Sequence, residues 1–374
     1  MTHPRIALVS LRNDPGWTTP ERFIAKDITR SGLARALAAQ GWDVSVHVEA
    51  TFDADLDDSG VPWHFRRPDH AVRAARALGA RLGDPAPHIR TPAPHLYRSL
   101  AAAGPDLLHS FDLVFYPHLL ALHRLGVPLV AHFHGGTAAQ RGLWRAAEGL
   151  ALRGVDRALF TTAEQAKGWV QNGLPASKIR LVMETSVREP SGTVGRLAGN
   201  PAVICPARLD PVKDPFTTLD GFSQLLTTHP DAILHLCWTH APLHSAVLER
   251  AGSLGGRIHL HGHVPHARLL EMIAGADVLV QSSLREVCGV AVLEAMAAGT
   301  PPVVTDIPAF RAVLGDCGAR FPVGDGGGLA AGIRAVLAGP TQRARCRERF
   351  AAELSFQAMA RGVGGVYREV LGGF

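Results

Sequence analysis

Tyrosine is scarce in this chain, with 3 among 374 residues, and aromatic residues together reach only 6%. Little is left for stacking nucleobases, so the net charge of +5 is not read as a nucleic-acid interface. Cysteine is sparse too: Cys205, Cys237, Cys288, Cys317 and Cys346 are odd in number, scattered, and contain no Cys-x-x-Cys pair. A disulfide framework is thereby excluded, and reduced, buried thiols are expected. No apolar run approaches the roughly 18 residues of a membrane span. The first apolar run, residues 6–11, lacks the layout of a signal peptide, so a cytoplasmic location is expected. Lysine is limited to Lys26, Lys167, Lys178 and Lys213, and arginine carries nearly all the positive charge. No Asp-x-Asp pair is placed to hold a catalytic metal, and none is expected.

Hydrophobic residues make up 47% and charged ones 19%, the balance of a soluble globular protein. At 374 residues two domains are the natural expectation. A short apolar run at 5–10 leads through turn residues to helical spacing over 28–40, then to a valine-rich strand at 43–49. Strand, helix, strand in that order is a parallel βαβ unit. The alternation continues with strands over 106–110, 128–134, 156–162 and 178–183. Residues 189–201, EPSGTVGRLAGNP, break it with Pro, Gly and Ser. It restarts with strands at 202–207, 232–237, 257–260, 277–281 and 302–305. The fold class expected is α/β, two Rossmann-like domains facing across a cleft. Their bounds are 1–190, a linker at 191–200, and 201–354, followed by a C-terminal helix over 355–374. In the tail, Gly362, Gly364 and Gly365 are expected to weaken or bend the helix that holds them.

The most informative stretch is 282–300, SSLREVCGVAVLEAMAAGT, which follows a buried strand and runs through a turn into a helix. Gly289 stands at the helix entry, so the amides of Gly289, Val290 and Ala291 point out of its N-terminus, a site suited to a phosphate or sugar hydroxyl. Two acids, Glu286 and Glu294, bracket these amides with seven residues between them. Carboxylates beside an anion site make sense when they face neutral hydroxyls, as in a sugar and a ribose joined by a diphosphate. Upstream, ARLDPVKDPFTTL places Arg208 and Lys213 in another strand-to-helix loop, with Pro215 near the helix start. Two cations in one loop can neutralise a diphosphate leaving group.

These two pieces resemble the nucleotide-sugar site of the retaining GT-B glycosyltransferases of the Glu-x7-Glu type. The likeness rests on Arg208, Lys213, Ser283, Glu286, Gly289, the run Leu293-Glu294-Ala295-Met296-Ala297, Gly299 and Pro301. It implies transfer of a hexose or N-acetylhexosamine from a nucleoside diphosphate, a UDP-sugar foremost, to a small-molecule, lipid or glycan acceptor, without a cofactor. By the same resemblance Arg208 and Lys213 bind the diphosphate, Glu286 meets the donor sugar, Glu294 the ribose, and the turn Gly262-His263-Val264 the base. His134, or next His132, corresponds to the family's histidine near the reacting carbon. Relatives carry a Gly-Gly turn after the first strand; here the loop NDPGWTTPERF has the single Gly16 and a bulky Trp17, which alters that donor-side contact. The alternatives are a nucleotide-sugar epimerase of the same fold or a catalytically silent binding subunit.

Two further clusters are read plainly. His259, His261, His263 and His266 alternate in HLHGHVPH as zinc ligands can, yet no cysteine lies near and the run occupies the base-binding turn, so metal is set aside. Residues 64–98 gather Arg66, Arg67, Arg73, Arg76, Arg81, Arg90 and Arg98. They are read as a solvated helix face rather than a membrane-docking patch.

Overall fold

The computed structural model describes residues 3–11, 16–83, 91–140, 142–187 and 195–373. The chain divides into two units, one of residues 1–186 with 356–374 and the other of 187–355. No described helix is long and apolar enough to cross a membrane.

Unit 1 is built on β1 (Arg5–Ser10), β2 (Asp43–Glu49), β3 (Ala54–Asp58), β4 (Val61–Arg66), β5 (Leu107–Ser110), β6 (Leu129–His132), β7 (Arg157–Phe160) and β8 (Ile179–Leu181). The sheet runs β3-β4-β2-β1-β5-β6-β7-β8, and every pairing is parallel except β3 with β4. Its central strands are buried along both faces, as in parallel sheets covered by helices. The β3-β4 hairpin was not anticipated. Its outer strand, ADLDD, carries three acids where strand propensity asks for branched residues, which suits an edge that must not pair further. Much of the arginine-rich segment is paired with acids, within the hairpin and beyond it. Arg66 pairs with Asp55 at 2.8 Å, Arg76 with Glu49 at 2.5 Å and Arg98 with Asp69 at 2.5 Å. Arg90 lies outside the described residues.

The last helix, Phe356–Val370, belongs to unit 1 and lies on helix Ile28–Ala39. The glycines expected to weaken it leave it unbroken. Gly364 serves a close approach: a Cβ there would meet the Trp42 indole nitrogen at 2.9 Å. Gly32 does the same from the facing helix, against the Phe356 ring.

Unit 2 contains β9 (Ala202–Pro206), β10 (Ile233–Cys237), β11 (Ile258–Gly262), β12 (Val278–Gln281), β13 (Pro302–Thr305) and β14 (Ala319–Phe321), all parallel in the order β11-β10-β9-β12-β13-β14. The short β14 had no apolar run long enough to announce it. Of the expected linker, 191–194 lie outside the described residues, while 195–200 are fastened to this unit. The Leu197 amide donates to Gly275 at 2.9 Å, the Asn200 amide to Asp231 at 2.9 Å, and the Ala198 carbonyl accepts from His235 at 2.8 Å. The order of strands reverses between β9 and β12, and the loops leaving their C-terminal ends carry Arg208 with Lys213 and Glu286 with Gly289. Such a switch point is where open α/β sheets hold ligands.

All five cysteines are buried, and none is in a disulfide.

Candidate nucleotide-sugar site

The two loops are tied together from beneath. Ser282, buried at the end of β12, donates from Oγ to the carbonyls of Lys213 and Asp214, and Thr218 Oγ1 lies 2.7 Å away. The Leu284 amide donates to Val212 at 2.8 Å, and Gln281 donates from Nε2 to Pro206 at 2.8 Å. The next helix, Pro215–Leu226, opens with proline at its first turn. Its cap is Asp214, held in the left-handed region at φ 44°, which accepts from the Thr217 amide and, at 2.6 Å, from its hydroxyl. Lys213 therefore enters the site from a backbone with little freedom.

Helix Val290–Ala298 starts at Gly289, whose φ of 74° is left-handed; a Cβ there would meet the Phe310 ring at 2.5 Å. The first intrahelical bonds are those of Val292 and Leu293 to the Gly289 carbonyl. The amides of Gly289, Val290 and Ala291 thus precede the ladder, at the positive end of the helix dipole.

Around these elements lies a pocket of about 370 Å³. Its walls include Arg208, Lys213, Val264, Glu286, Gly289, Val290, Ala291 and Glu294. The volume falls in the range of small-molecule sites. Lys213 Nζ is ion-paired with Glu286 Oε1, which also accepts from Ser283 Oγ at 2.8 Å. Both charged side chains are largely buried. Arg208, half-exposed, spends Nε on Asp210 at 2.7 Å, which sets the guanidinium plane. Burial pushes the Asp210 carboxyl up, but the Arg208 bond and the amides of Lys213 and Val212 outweigh it and hold the group below the usual carboxylate range. Glu294 is buried, and its Oε1 accepts from His266 Nε2 at 2.6 Å.

Sequence reading missed Asp210 and the pairing of His266 with Glu294. Asp210 sits inside the quoted loop between the two cations, so its presence was visible and its role was not. His266 stood out only as one of four histidines.

In unit 1, His132 and His134 follow one another on and just past β6, rings 4.3 Å apart. His132 is fully buried and, among the described residues, neither ring nitrogen has a partner; burial holds its pKa well below the ordinary value. That is a core histidine. His134 Nδ1 lies 2.7 Å from Glu184 Oε1, which fixes Nδ1–H as the donor and leaves Nε2 without a partner among the described residues. Glu184, also buried, had no sequence signal: it follows a short strand with no motif around it. Gly16 lies in an exposed turn, and the preceding residues 12–15 are outside the described set. Trp17 turns inward, edge-on to Phe23 at 4.9 Å.

Residues 193–352 match the family described as "Glycosyl transferases group 1", and 31–183 match "Glycosyltransferase Family 4". A phosphatidyl-myo-inositol mannosyltransferase of Mycolicibacterium smegmatis is 28% identical over 324 residues, 82% of this chain and 79% of that one. Among solved structures, sucrose-phosphate synthase from Thermosynechococcus elongatus superposes with a TM-score of 0.67 at 20% identity, covering 99% of this chain and 100% of that one. Anabaena HepE, solved in complex with UDP and glucose, gives 0.65 at 15% identity over 98% and 100%. These superpositions establish a GT-B fold.

Proposed function

The chain belongs to the group 1 glycosyltransferases, and from that premise we propose that it moves a hexose or N-acetylhexosamine from a nucleoside diphosphate to an acceptor hydroxyl or amine. The donor proposed first is a UDP-sugar, transfer retains the anomeric configuration, and no metal takes part. The observation that carries this reading is the convergence of Arg208, Lys213, Glu286, Glu294 and the Gly289–Ala291 amides on one pocket.

Each group then has work suited to its chemistry. The diphosphate lies against the amides, with Arg208 and Lys213 offsetting the charge that grows as the glycosidic C–O bond breaks. A phosphate competes for Lys213, and Glu286, released from its ion pair, accepts hydrogen bonds from the sugar hydroxyls. Glu294, oriented by His266, reads the ribose. The leaving oxygen accepts the acceptor's proton while the acceptor attacks from the same face, so no enzyme nucleophile is required. In unit 1 we assign His134 to the reacting sugar, with Glu184 holding its ring by Nδ1. That unit supplies the acceptor side, and the acceptor is a lipid, glycan or small metabolite.

The test is a thermal-shift screen of UDP-, GDP-, ADP- and TDP-sugars, followed by NMR of the anomeric configuration formed from the donor that raises Tm. Failure of every nucleotide sugar to raise Tm would remove the donor reading. A product of inverted configuration would remove the mechanism and leave the donor site standing.

A further inference from the structure

His235 lies on β10, and register pairs it with His259 on the neighbouring β11; His261 follows two residues on. In a parallel ladder paired residues share a face, which sets His235 beside His259; the register slips between Leu236 and Cys237, and His261, left unpaired there, stacks its ring on His235 at 5.2 Å, so three imidazoles meet at the edge of the unit 2 sheet. One ligand-capable atom from each lies within 4.8 Å of the others. The sequence raised the metal question inside HLHGHVPH and set it aside because no cysteine is near and the run occupies the base-binding turn. The third histidine comes from the adjacent strand, 24 positions before His259, where no local motif could reveal it.

The hydrogen bonds prepare these rings as ligands. His235 Nε2–H donates to the Ala198 carbonyl at 2.8 Å, so His235 Nδ1 carries the lone pair and accepts from His261 Nε2–H at 3.0 Å; a metal ion would replace this bond, the His261 proton moving to its Nδ1. A ligating histidine whose other nitrogen is anchored to a backbone carbonyl is the usual support of a metal site. Two imidazole nitrogens on one tetrahedral zinc ion, each bound at about 2.0–2.1 Å, stand roughly 3.3 Å apart, close to the spacing already present.

We propose that His235, His259 and His261 bind a divalent late transition-metal ion, zinc foremost. Three nitrogen donors suit Zn²⁺, Ni²⁺ and Cu²⁺ rather than the oxygen-seeking Mg²⁺ or Ca²⁺. The exposed His261 leaves a fourth position to water. The ion clips edge strand β11 to β10 and, through Ala198, to the segment entering the unit. None of the three histidines lines the nucleotide-sugar pocket, so this site stands or falls separately from the transfer reaction.

The experiment uses the untagged, chelator-stripped full chain, titrated with Zn²⁺ in competition with a chromophoric chelator, and with Co²⁺ followed by its visible d–d absorption. One equivalent is expected per chain. Substitution His261→Ala or His259→Ala should weaken binding by at least about tenfold and abolish the cobalt bands, while His244→Ala, at an exposed helix start, leaves both unchanged. His261 is exposed, so its removal does not threaten folding in the way that of buried His235 does. A wild-type chain that takes up no stoichiometric Zn²⁺, or His261→Ala and His259→Ala variants that bind as wild type does, overturns the site.

Discussion

The hydroxyl of Ser282 stands 2.6 Å from the carbonyl oxygen of Asp214, joining the end of β12 to the residue that caps helix Pro215–Leu226. The same oxygen is 3.0 Å from the Lys213 carbonyl. Replacing Ser282 with alanine leaves the buried Thr218 Oγ1 and the part-buried carbonyls of Lys213 and Asp214 short of a partner. The expected cost is about 1–3 kcal/mol of stability, measured by denaturant unfolding. Because Lys213 is placed by this contact, kcat/KM for sugar transfer should fall as well. A variant that loses stability with transfer unaltered would show that the loop holds its shape without the serine.

Lys213 faces Glu286 in the free pocket and, on the reading above, the diphosphate during transfer. Lys213→Ala should lower kcat by roughly 10²–10³, the cost of removing one preorganised donor from a site of developing charge. The neutral substitution also leaves Glu286 buried without its cation, so the melting temperature should fall too. Pairing Lys213→Ala with Glu286→Gln separates the effects: the double variant regains stability and does not regain rate. Steady-state kinetics beside thermal unfolding of the three proteins decides it.

What the sequence could announce depended on whether a property was local. The Glu286-to-Glu294 stretch carries strand, glycine-gated helix entry and two acids within one short segment, so this wall of the pocket was legible there, while its reading as a donor site rested on the family resemblance. Arg208 and Lys213 were equally visible, being in one loop. Partners supplied by distant chain were not. Glu184 meets His134 from 50 positions away and His266 meets Glu294 from 28, distances across which neither period nor motif carries information. The acidic β3 was missed for a different reason, since an edge strand is shaped by what it must avoid and therefore reads as a loop.

If Glu294 reads the ribose, removing its carboxylate should narrow the preference for ribonucleotides over deoxyribonucleotides. Wild-type protein is expected to bind UDP more tightly than 2′-deoxy- or 3′-deoxy-UDP, and Glu294→Ala to bind all three with similar affinity. The charge-assisted bonds at stake are worth about 1.5–3 kcal/mol, a tenfold difference or more. Substituting His266 with alanine leaves the acid in place without its orienting partner and should give an intermediate discrimination. Isothermal titration with the three nucleotides checks both variants.

Acid should destabilise unit 1 before it touches most carboxylates. Burial lowers His109 and His118 from 6.5 to about 3, and burial with the charges of His64 and Arg66 does the same for His47. His132 is lowered further by burial. These rings are neutral when folded, while the unfolded chain takes up protons below about 6.5, so the unfolded state binds more protons and stability falls with pH. The stabilisation is complete above about 6.5 and is lost progressively as pH falls towards about 3. His132→Phe removes one such proton and orphans no partner, so the slope of stability against pH between 6 and 4 should flatten by about 1.4 kcal/mol per pH unit. Urea unfolding across that range, wild type against variant, gives the answer.

Two neighbouring glycines in the last helix should respond in opposite directions to the same substitution. At Gly365 a Cβ meets nothing within 4 Å, so alanine there only narrows the unfolded chain's freedom and improves helix propensity. Gly365→Ala should stabilise by up to about 1 kcal/mol. At Gly364 the added carbon would sit 2.9 Å from the Trp42 indole nitrogen, in a contact where Trp42 also meets Tyr367 edge-on at 5.4 Å and lies under the Arg368 guanidinium at 5.8 Å. The indole cannot retreat without disturbing both, so Gly364→Ala should cost about 1–3 kcal/mol. Tryptophan fluorescence and the unfolding midpoint, read on both variants, test the assignment, because a helix held only by its own propensity would gain stability from either alanine.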